Sequence, residues 1–325
     1  MKAAWYCHNG RAADVLQYGD LPDPMPAPGE VRVRLITSGV NPSDVKTRLW
    51  RPPEGERVVP HSDGAGVIDQ VGDGVPRERL GQRVWIWNGQ WHRSMGTACQ
   101  YIALPQAQAV PLPPGIGFEA AACFGIPGMT AMHALQRCGP LEGQTVLVTG
   151  AGNAVGQYLT QLAAGQGATV LGTVGAPARE QAALRAGAHH VLRYKTEAVP
   201  QRVKACTHNQ GVDVVIDMDF ASTAPWLAEG ILKPHGRYVC YGSSDVSTLQ
   251  MDYRSVLWRC TQLYFFLVYG LSPDDRALAI QAWTALLERH ALRTTIAQTF
   301  SLSEIALAHA AVETGQAVGN VVIQL

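Results

Sequence analysis

The chain has 325 residues, in which 26 lysine and arginine side chains balance 26 aspartate and glutamate side chains, and 47% of the residues are hydrophobic. At roughly 100 to 200 residues per domain, this length predicts about two domains, and cores of that size need no disulfide or metal to hold them. Balanced charge provides no basic surface to attract a phosphate backbone or anionic lipid, so neither nucleic acid nor a membrane is an expected partner.

Hydropathy and cysteine content predict the compartment. The longest apolar run, residues 263–271, is about half the length of a membrane-spanning helix and is predicted to be a buried strand. Residues 1–10 contain no apolar stretch typical of a secretory signal. The seven cysteines are widely spaced, odd in number and never arranged as a C-x-x-C pair. Together these features predict a cytoplasmic protein with reduced thiols.

The chain up to about residue 120 alternates short β-rich runs with glycine and proline breaks. Its clearest runs are residues 31–40, 64–71, 83–87 and 98–104. Short strands at this spacing are typical of an irregular, mostly antiparallel β-domain.

After about residue 118 the pattern changes to apolar strands separated by helix-length segments. The strands are residues 145–149, 168–174, 212–217 and 237–241, and the clearest helices are residues 155–164 and 177–186. Strands rich in valine and isoleucine that are joined by helices predict a parallel sheet covered by helices on both faces. Right-handed crossovers then make this a doubly wound sheet.

The carboxyl-terminal part resumes a mixed pattern. A helix is predicted to begin at Ser272-Pro273, followed by a strand over residues 295–300 and a capping box from Ser301 to Glu304. A last strand is predicted over residues 320–325. The fold class is therefore α/β. One β-rich domain is predicted to comprise residues 1–122 and 270–325, and a parallel-sheet domain residues 123–269.

A glycine-rich turn at residues 150–156 carries the strongest chemical signal. Gly150 and Gly152 allow dihedral angles closed to other residues and the close approach of a pyrophosphate, and Gly156 allows close packing of helix on strand. Amide groups at the helix start would then face the diphosphate. An ordinary tight turn remains the alternative, but the position between a strand and a helix favours a dinucleotide.

The second strand of this domain indicates which dinucleotide is bound. An NAD site normally places an acid about twenty residues after the glycine turn, and residues 170–175 contain none. Arg179 follows, where a guanidinium could hold a 2′-phosphate. These features favour NADPH. The alternative is that Arg179 forms an ion pair with a nearby acid such as Glu180.

Several short motifs occur in a specific order along nearly the whole chain. They are residues 38–44 (SGVNPSD), 60–68 (PHSDGAGVI), 71–75 (VGDGV), 81–84 (GQRV), 125–127 with 130–131, the turn at 151–156, and Gly187-Ala188. The chain thereby resembles the medium-chain dehydrogenase/reductase superfamily, and within it the zinc-independent quinone oxidoreductases, the zeta-crystallin-like branch. The resemblance implies a GroES-like catalytic domain, a Rossmann cofactor domain and an active site in the cleft between them.

The resemblance also implies which residues bind the cofactor. Arg179 and Tyr194 match positions that hold the adenosine 2′-phosphate, and Asn41 matches an asparagine near the nicotinamide. Lys46 stands where relatives place a tyrosine, so the tyrosine contact to substrate is not expected. The full set of implied cofactor contacts is Thr130, Gly152, Asn153, Ala154, Val155, Gly175, Arg179, Tyr194, Thr223, Gly242, Ser243, Phe266, Leu267 and Val268.

The metal ligands of zinc-dependent relatives are not matched. His61 and Cys123 each lie one position before the corresponding ligand, so we expect a loop histidine and a buried thiol rather than a zinc site. Asp217 and Asp219 share one face at the end of a strand. We expect them to shape the cofactor cleft rather than to act as an acid–base pair.

The sequence thus predicts an NADPH-dependent reductase that transfers hydride to a quinone or an α,β-unsaturated carbonyl compound. Asn41 and Lys46 are candidate donors to the substrate oxygen, although Lys46 equally fits a solvated helix position. The alternatives are an enoyl-thioester or enal reductase, a noncatalytic NADPH-binding protein and, more distantly, a zinc alcohol dehydrogenase. The family habit of pairing edge strands makes a homodimer plausible, with residues 263–268 as a candidate edge.

Overall fold

The computed structural model describes all 325 residues. The chain divides into two compact units, a β-rich unit of residues 1–128 and 284–325, and an α/β unit of residues 129–283. The sequence placed the second junction at residue 270, ahead of the helix that begins after Ser272. In the structure the first three turns of this helix pack within the α/β unit, where Trp283 contacts Tyr158 edge to face at 5.1 Å and Arg137 binds Asp275.

Fifteen strands and twelve α-helices make up the two units. The strands are β1 (Lys2–Trp5), β2 (Gln17–Asp20), β3 (Glu30–Val40), β4 (Asp63–Val71), β5 (Arg83–Ile86), β6 (Tyr101–Pro105), β7 (Ala109–Pro111), β8 (Thr145–Val148), β9 (Thr169–Val174), β10 (His190–Arg193), β11 (Val212–Asp217), β12 (Leu232–Cys240), β13 (Gln262–Phe265), β14 (Ile296–Ser301) and β15 (Asn320–Gln324).

The helices are α1 (Ala12–Val15), α2 (Pro42–Trp50), α3 (Phe118–Ala121), α4 (Met129–Cys138), α5 (Ala154–Gly165), α6 (Pro177–Arg185), α7 (Val199–Cys206), α8 (Phe220–Thr223), α9 (Pro225–Ala228), α10 (Tyr253–Trp258), α11 (Pro273–Glu288) and α12 (Ile305–Glu313). A π-helical segment, Phe124–Gly128, precedes α4. None of the helices combines the length and hydropathy of a transmembrane span.

The β-rich unit is organised around the long strand β3. This strand pairs antiparallel with β4, β6 and β15 in a seven-stranded sheet, in which only β14 and β15 run parallel. Val31, Val33 and Leu35 point into the core of this unit, as the alternation of a half-buried strand predicts. The antiparallel β-domain predicted from the sequence is confirmed.

The α/β unit contains a fully parallel six-stranded sheet in the order β10-β9-β8-β11-β12-β13. The chain winds outward from β8 to β10 and then returns to start again beside β8 with β11. This order is that of the Rossmann fold, and it leaves a switch point between β8 and β11 where ligands bind outside the carboxyl ends of the strands. The doubly wound parallel sheet predicted from the sequence is confirmed.

One predicted element was wrong in detail. The run 263–271 was expected to be a buried strand, but β13 ends at Phe265 and a 3-10 turn follows at Val268–Gly270. Phe265 is 51% exposed and Leu267 54% exposed. These side chains are exposed because β13 is the last strand of its sheet and has no neighbouring strand on one side.

Gly156 should tolerate no side chain. A Cβ at this position in α5 would lie 2.1 Å from the carbonyl oxygen of Gly150, whereas a Cβ at Gly165, in the last turn of the same helix, meets no atom within 4 Å. We expect Gly156→Ala to lower the free energy of unfolding by about 1 to 3 kcal/mol through overpacking. Gly165→Ala should raise it by about 0.4 to 1 kcal/mol. Thermal unfolding of both variants measures the contrast, and equal effects would contradict the close packing of α5 on the turn.

Candidate active site

The predicted cofactor residues of the α/β unit lie where its parallel strands end. The glycine turn follows β8, Gly175 follows β9, Tyr194 follows β10 and Gly242 follows β12. Because parallel strands end at the same edge of a sheet, the fold brings these positions to one edge although they are far apart in the chain. The switch point between β8 and β11 lies at the centre of this edge.

The glycine turn is fixed by close backbone contacts. Gly150 has a φ of +66°, a conformation that glycine adopts without penalty. Gly156 lies against Gly150, as predicted. The unusual dihedral angles predicted for Gly152 are wrong, because its φ is not positive. A Cβ at this position would lie 2.5 Å from the carbonyl oxygen of Arg179. Gly152 therefore allows the start of α6 to approach the turn.

A buried carboxyl holds the turn to the neighbouring strand. Asp217, at the end of β11 and fully buried, accepts hydrogen bonds from the hydroxyl of Thr149 at 2.8 Å and that of Thr223 at 2.9 Å. The Thr149 hydroxyl in turn accepts from the backbone N–H of Met218 at 2.8 Å. Burial raises the pKa of Asp217, while these donors oppose the shift. Asp219 has other partners, Ser222 and the Ser244 N–H, so each aspartate has a local structural role.

The residues predicted to hold a 2′-phosphate are neighbours. A Cβ on Gly175 would lie 2.5 Å from the hydroxyl of Tyr194, so glycine is needed for this ring to cover the end of β9. Arg179 and Tyr194 are close enough to affect each other electrostatically, and burial lowers the pKa of the guanidinium. Glu180, the acid considered as an alternative partner for Arg179, is bound by Arg193 at 2.6 Å.

This arrangement fits NADPH. The side chain at the end of β9 that approaches the turn is Thr173, whose hydroxyl accepts from the Gly150 N–H at 3.1 Å, rather than an acid that would bind a free ribose 2′-hydroxyl. The first amides of α5, from Ala154 and Val155, are groups that a helix leaves without intrahelical acceptors. A diphosphate suits such a helix start, and a third phosphate suits the Arg179 guanidinium.

Other predicted contacts border the same edge. Asn153 begins α5 and donates to the sulfur of Met218 at 3.1 Å across the switch point. Thr130 is buried in the first turn of α4, and Thr223 ends α8 with its hydroxyl engaged by Asp217. After β12, Gly242 accepts from the Phe220 N–H at 3.1 Å, and the Ser243 hydroxyl accepts from the Ala221 N–H at 3.2 Å.

The segment Phe266–Val268, predicted as a strand, lies beyond the end of β13. The Phe266 N–H still donates to the Cys240 carbonyl at 3.1 Å, which keeps the chain beside β12 for one more residue. Its ring packs edge to face on His133 at 4.7 Å. His133, on α4, is fully buried, and burial lowers its pKa to about 4. Sequence reasoning missed this histidine, which lies on α4 one turn beyond Thr130.

The two predicted catalytic residues lie in the β-rich unit, at the start of α2. Asn41 is 5% exposed, its backbone N–H donates to the Asp44 carboxyl at 2.7 Å, and its side-chain Nδ2 donates to the Asp63 carboxyl at 2.8 Å. Lys46 lies on α2 with an exposed side chain. Asn41 is therefore held rigidly. Lys46 occupies a solvated helix position, which the sequence left open as the alternative to a role as donor.

Both carboxyls that bind Asn41 have raised pKa values. Burial raises the pKa of Asp44 to about 7, against the opposing hydrogen bonds from Asn41 and the Ser62 backbone. Burial also raises the pKa of Asp63 well above its ordinary value. The same effect, with Asp63 nearby, raises the pKa of the buried Cys123 thiol. Perturbed groups of this kind concentrate at functional sites.

His61 is a loop histidine, as predicted, but it is also fully buried. Its Nδ1 lies 2.9 Å from the Ser38 hydroxyl and its Nε2 lies 2.9 Å from Nε2 of His309. Burial lowers the pKa of His61 to about 3 and that of His309 well below its ordinary value, which favours two neutral rings. No signal in the sequence pairs residues so far apart. No group of three or more histidine, cysteine, aspartate or glutamate side chains is placed to hold a metal ion.

A polar cavity of ≈ 340 Å³ lies at the opposite end of the parallel strands, beside Gln144 and Gln262. Its cationic side chains are already engaged. Lys233 binds both carboxylate oxygens of Asp213 at 2.9 Å, and Arg237 donates to the Cys138 carbonyl and the Gln144 side chain. Size alone therefore does not make this cavity the cofactor site.

Comparison with known proteins agrees with both units. The alcohol dehydrogenase GroES-like domain matches residues 27–114, and the zinc-binding dehydrogenase family matches residues 186–323. A quinone oxidoreductase of Pseudomonas aeruginosa is 30% identical over 317 residues, which are 95% of each chain. A mycobacterial protein solved with NADPH is 25% identical and superimposes with a TM-score of 0.89. An NAD-dependent alcohol dehydrogenase is 27% identical, also with a TM-score of 0.89. Each alignment covers 100% of both chains. The chain therefore belongs to the medium-chain dehydrogenase/reductase superfamily, in its quinone oxidoreductase branch.

Proposed function

We propose that this protein is an NADPH-dependent reductase that transfers hydride to a quinone or a related α,β-unsaturated carbonyl compound. The observation that carries the proposal is the edge of the α/β unit, where a helix start faces the glycine turn and Arg179 lies beside Tyr194. The Pseudomonas aeruginosa relative is named a quinone oxidoreductase, and the mycobacterial relative was solved with NADPH. Both names support this substrate class and this cofactor.

The chain's own residues have separate tasks in this proposal. Gly152, Ala154 and Val155 bind the diphosphate, and Arg179 with Tyr194 binds the 2′-phosphate. Thr130, Thr223, Gly242, Ser243 and residues 266–268 are the proposed contacts along the rest of the dinucleotide. NADPH, when bound, supplies the hydride.

Asn41 is the proposed donor to the substrate oxygen. Charge that develops on this oxygen is best met by a donor that does not have to reorient, and the hydrogen bonds to Asp44 and Asp63 hold Asn41 in place. Lys46 is the proposed second donor, acting directly or through water from its exposed position on α2.

A reducing, cytoplasmic compartment is part of the proposal and is supported by seven cysteines that are all free thiols.

A homodimer formed through β13 is also proposed. This strand is the edge of the six-stranded sheet, so its outer N–H and C=O groups face no strand within the chain. Phe265 and Leu267 expose more than half of their surface beside it, and Trp258 on the preceding helix is 74% exposed. An apolar sheet edge of this kind is a template for pairing with another copy.

The substrate class is tested by steady-state rates. With NADPH, we expect turnover of a panel of benzoquinones and naphthoquinones to exceed that of enoyl-CoA thioesters in kcat/KM. Asn41→Ala should lower kcat by about tenfold or more, because it removes a positioned donor. The exposed Gln298→Ala, on β14 of the β-rich unit, serves as the control. Faster reduction of enoyl thioesters would favour the enoyl reductase alternative, and NADPH binding without any turnover would indicate a noncatalytic protein.

The cofactor preference is tested by charge reversal at Arg179. Arg179→Glu should raise the Kd for NADPH about ten- to a hundredfold, because a charge-assisted contact of ~1.5 to 3 kcal/mol is lost, and should leave the Kd for NADH nearly unchanged. Isothermal titration calorimetry measures both constants. Arg185→Glu, at the other end of α6, is the control and should change neither. Equal weakening of NADPH and NADH by Arg179→Glu would show that Arg179 does not bind the phosphate.

The dimer is tested by light scattering after gel filtration. We expect the wild-type chain to elute at twice its monomer mass and Phe265→Lys to shift the protein toward monomer, because a charge on the edge strand opposes pairing. Tyr18→Lys, an exposed aromatic in the β-rich unit, is the control and should stay dimeric. A wild-type monomer at micromolar concentration, or a dimeric Phe265→Lys that still unfolds cooperatively, would contradict pairing through β13.

A further inference from the structure

Asp63 occupies a site that excludes water. It is the first residue of β4, lies opposite Gly39 of β3 and is 0% exposed. A Cβ on Gly39 would lie 2.1 Å from the carbonyl oxygen of Ala122 and 3.1 Å from the Cβ of Asp63. A Cβ on Gly125 would lie 2.4 Å from Oδ1 of Asp63. Two glycines thus bring backbone against this carboxyl and close the space around it.

No cation compensates this carboxyl. Neither Asp63 nor Asp44 takes part in any of the ion pairs of the structure. The only side-chain donor to Asp63 is the Asn41 amide, at 2.8 Å from Oδ2, and Oδ1 has no hydrogen-bond partner although it is buried. An ionised carboxylate without a counter-charge is expensive in such a place, and an orphaned oxygen adds to the cost.

A proton on Oδ1 resolves both problems. The carbonyl oxygen of Ile86 lies 2.4 Å from the point that a Cβ on Gly125 would occupy, the same distance as Oδ1 itself. Both atoms therefore pack against Gly125, which places a backbone acceptor in the neighbourhood of the unpartnered oxygen. Oδ2 then remains a carbonyl-type oxygen that accepts from Asn41.

We propose that Asp63 works as a neutral carboxylic acid that orients the Asn41 amide, and is therefore a positioning residue for the reaction. This inference rests on the proposed function of Asn41 as donor to the substrate oxygen. A neutral Asp63 fixes the amide by one hydrogen bond and adds no charge. An ionised Asp63 would place a negative charge one hydrogen bond away from the donor, where it would oppose the negative charge developing on the substrate.

The groups that face Asp63 agree with a protonated state. Burial is the largest cause that raises its pKa, and the nearby Asp44 raises it further. The Asn41 side chain and the Ile126 N–H favour the ionised form but are outweighed. Cys123 is also close, and burial raises the pKa of its thiol well above the ordinary value. His61, two residues before Asp63, is neutral as well.

The first test measures stability against pH for wild type and Asp63→Asn. A carboxyl whose folded pKa is raised loses stability as pH rises from the unfolded pKa, near 4, to the folded one, because only the unfolded state releases the proton. Asn mimics the neutral acid and cannot titrate. The difference in Tm, variant minus wild type, should therefore rise by about 2 °C or more between pH 5 and pH 8.5. A difference that stays constant or falls shows an ionised Asp63 and overturns the proposal.

The second test separates positioning from packing through kinetics with NADPH and a quinone. Asp63→Asn should keep kcat at pH 7 within about threefold of wild type. At the higher pH at which the wild-type kcat falls because Asp63 ionises, the kcat of Asp63→Asn should stay constant. Asp63→Ala should lose about tenfold or more in kcat, because the Asn41 amide is no longer held. Loss in Asp63→Asn as large as in Asp63→Ala overturns the neutral-acid role. If wild type reduces no acceptor, the proposed function fails, and the Tm comparison alone decides the state of Asp63.

Discussion

The turn between β8 and α5 is the constraint on which the α/β unit depends. Gly156 allows the helix to lie against the carbonyl of Gly150, and the Thr149 hydroxyl links the turn to Asp217 on the neighbouring strand. One contact acts through close packing and the other through a buried hydrogen bond. Together they fix the direction in which the first amides of α5 point. An anion site made of backbone groups works only when that direction is fixed, since its donors have no side-chain freedom to adjust.

Around this turn, the sheet determines which residues are neighbours. Parallel strands deliver their carboxyl ends to one edge, so Gly175 after β9 and Tyr194 after β10 meet although nineteen positions separate them in the numbering. The Tyr194 ring covers Gly175, and Arg179 lies in the first turn of α6, the helix that follows β9. The proposed 2′-phosphate site thus has a basic and an aromatic side chain and no acid at the end of β9. In this proposal, selectivity for NADPH depends on the presence of Arg179 and on the lack of that acid.

The β-rich unit contributes a different kind of order, based on buried polar groups. Asn41 is bound through both its backbone and its side chain to carboxyls that burial keeps from ionising readily. A neutral hydrogen-bonded group orients its neighbours without bringing charge into an apolar site, whereas an ion pair would require a compensating cation. The same principle applies to His61 and His309, which contact each other directly as neutral rings. These buried side chains therefore fix geometry rather than supply charge.

The sequence by itself determined the fold class, the glycine turn and the cofactor preference, because each rests on local patterns. Strand and helix periodicity predicted β3, β4, β9 and β11 nearly to the residue, and a glycine-rich stretch between a strand and a helix has few other uses. It failed at β13, where an apolar run indicates burial but cannot show that the strand has no neighbour on one side. It also predicted unusual dihedral angles at Gly152, where the structure instead shows a close approach of the Arg179 backbone from a separate crossover. Only the tertiary structure decided that Asn41 meets Asp63 and that His61 meets His309. Side-chain contacts across a sheet depend on register and on the paths of distant segments, which no local pattern of residues contains.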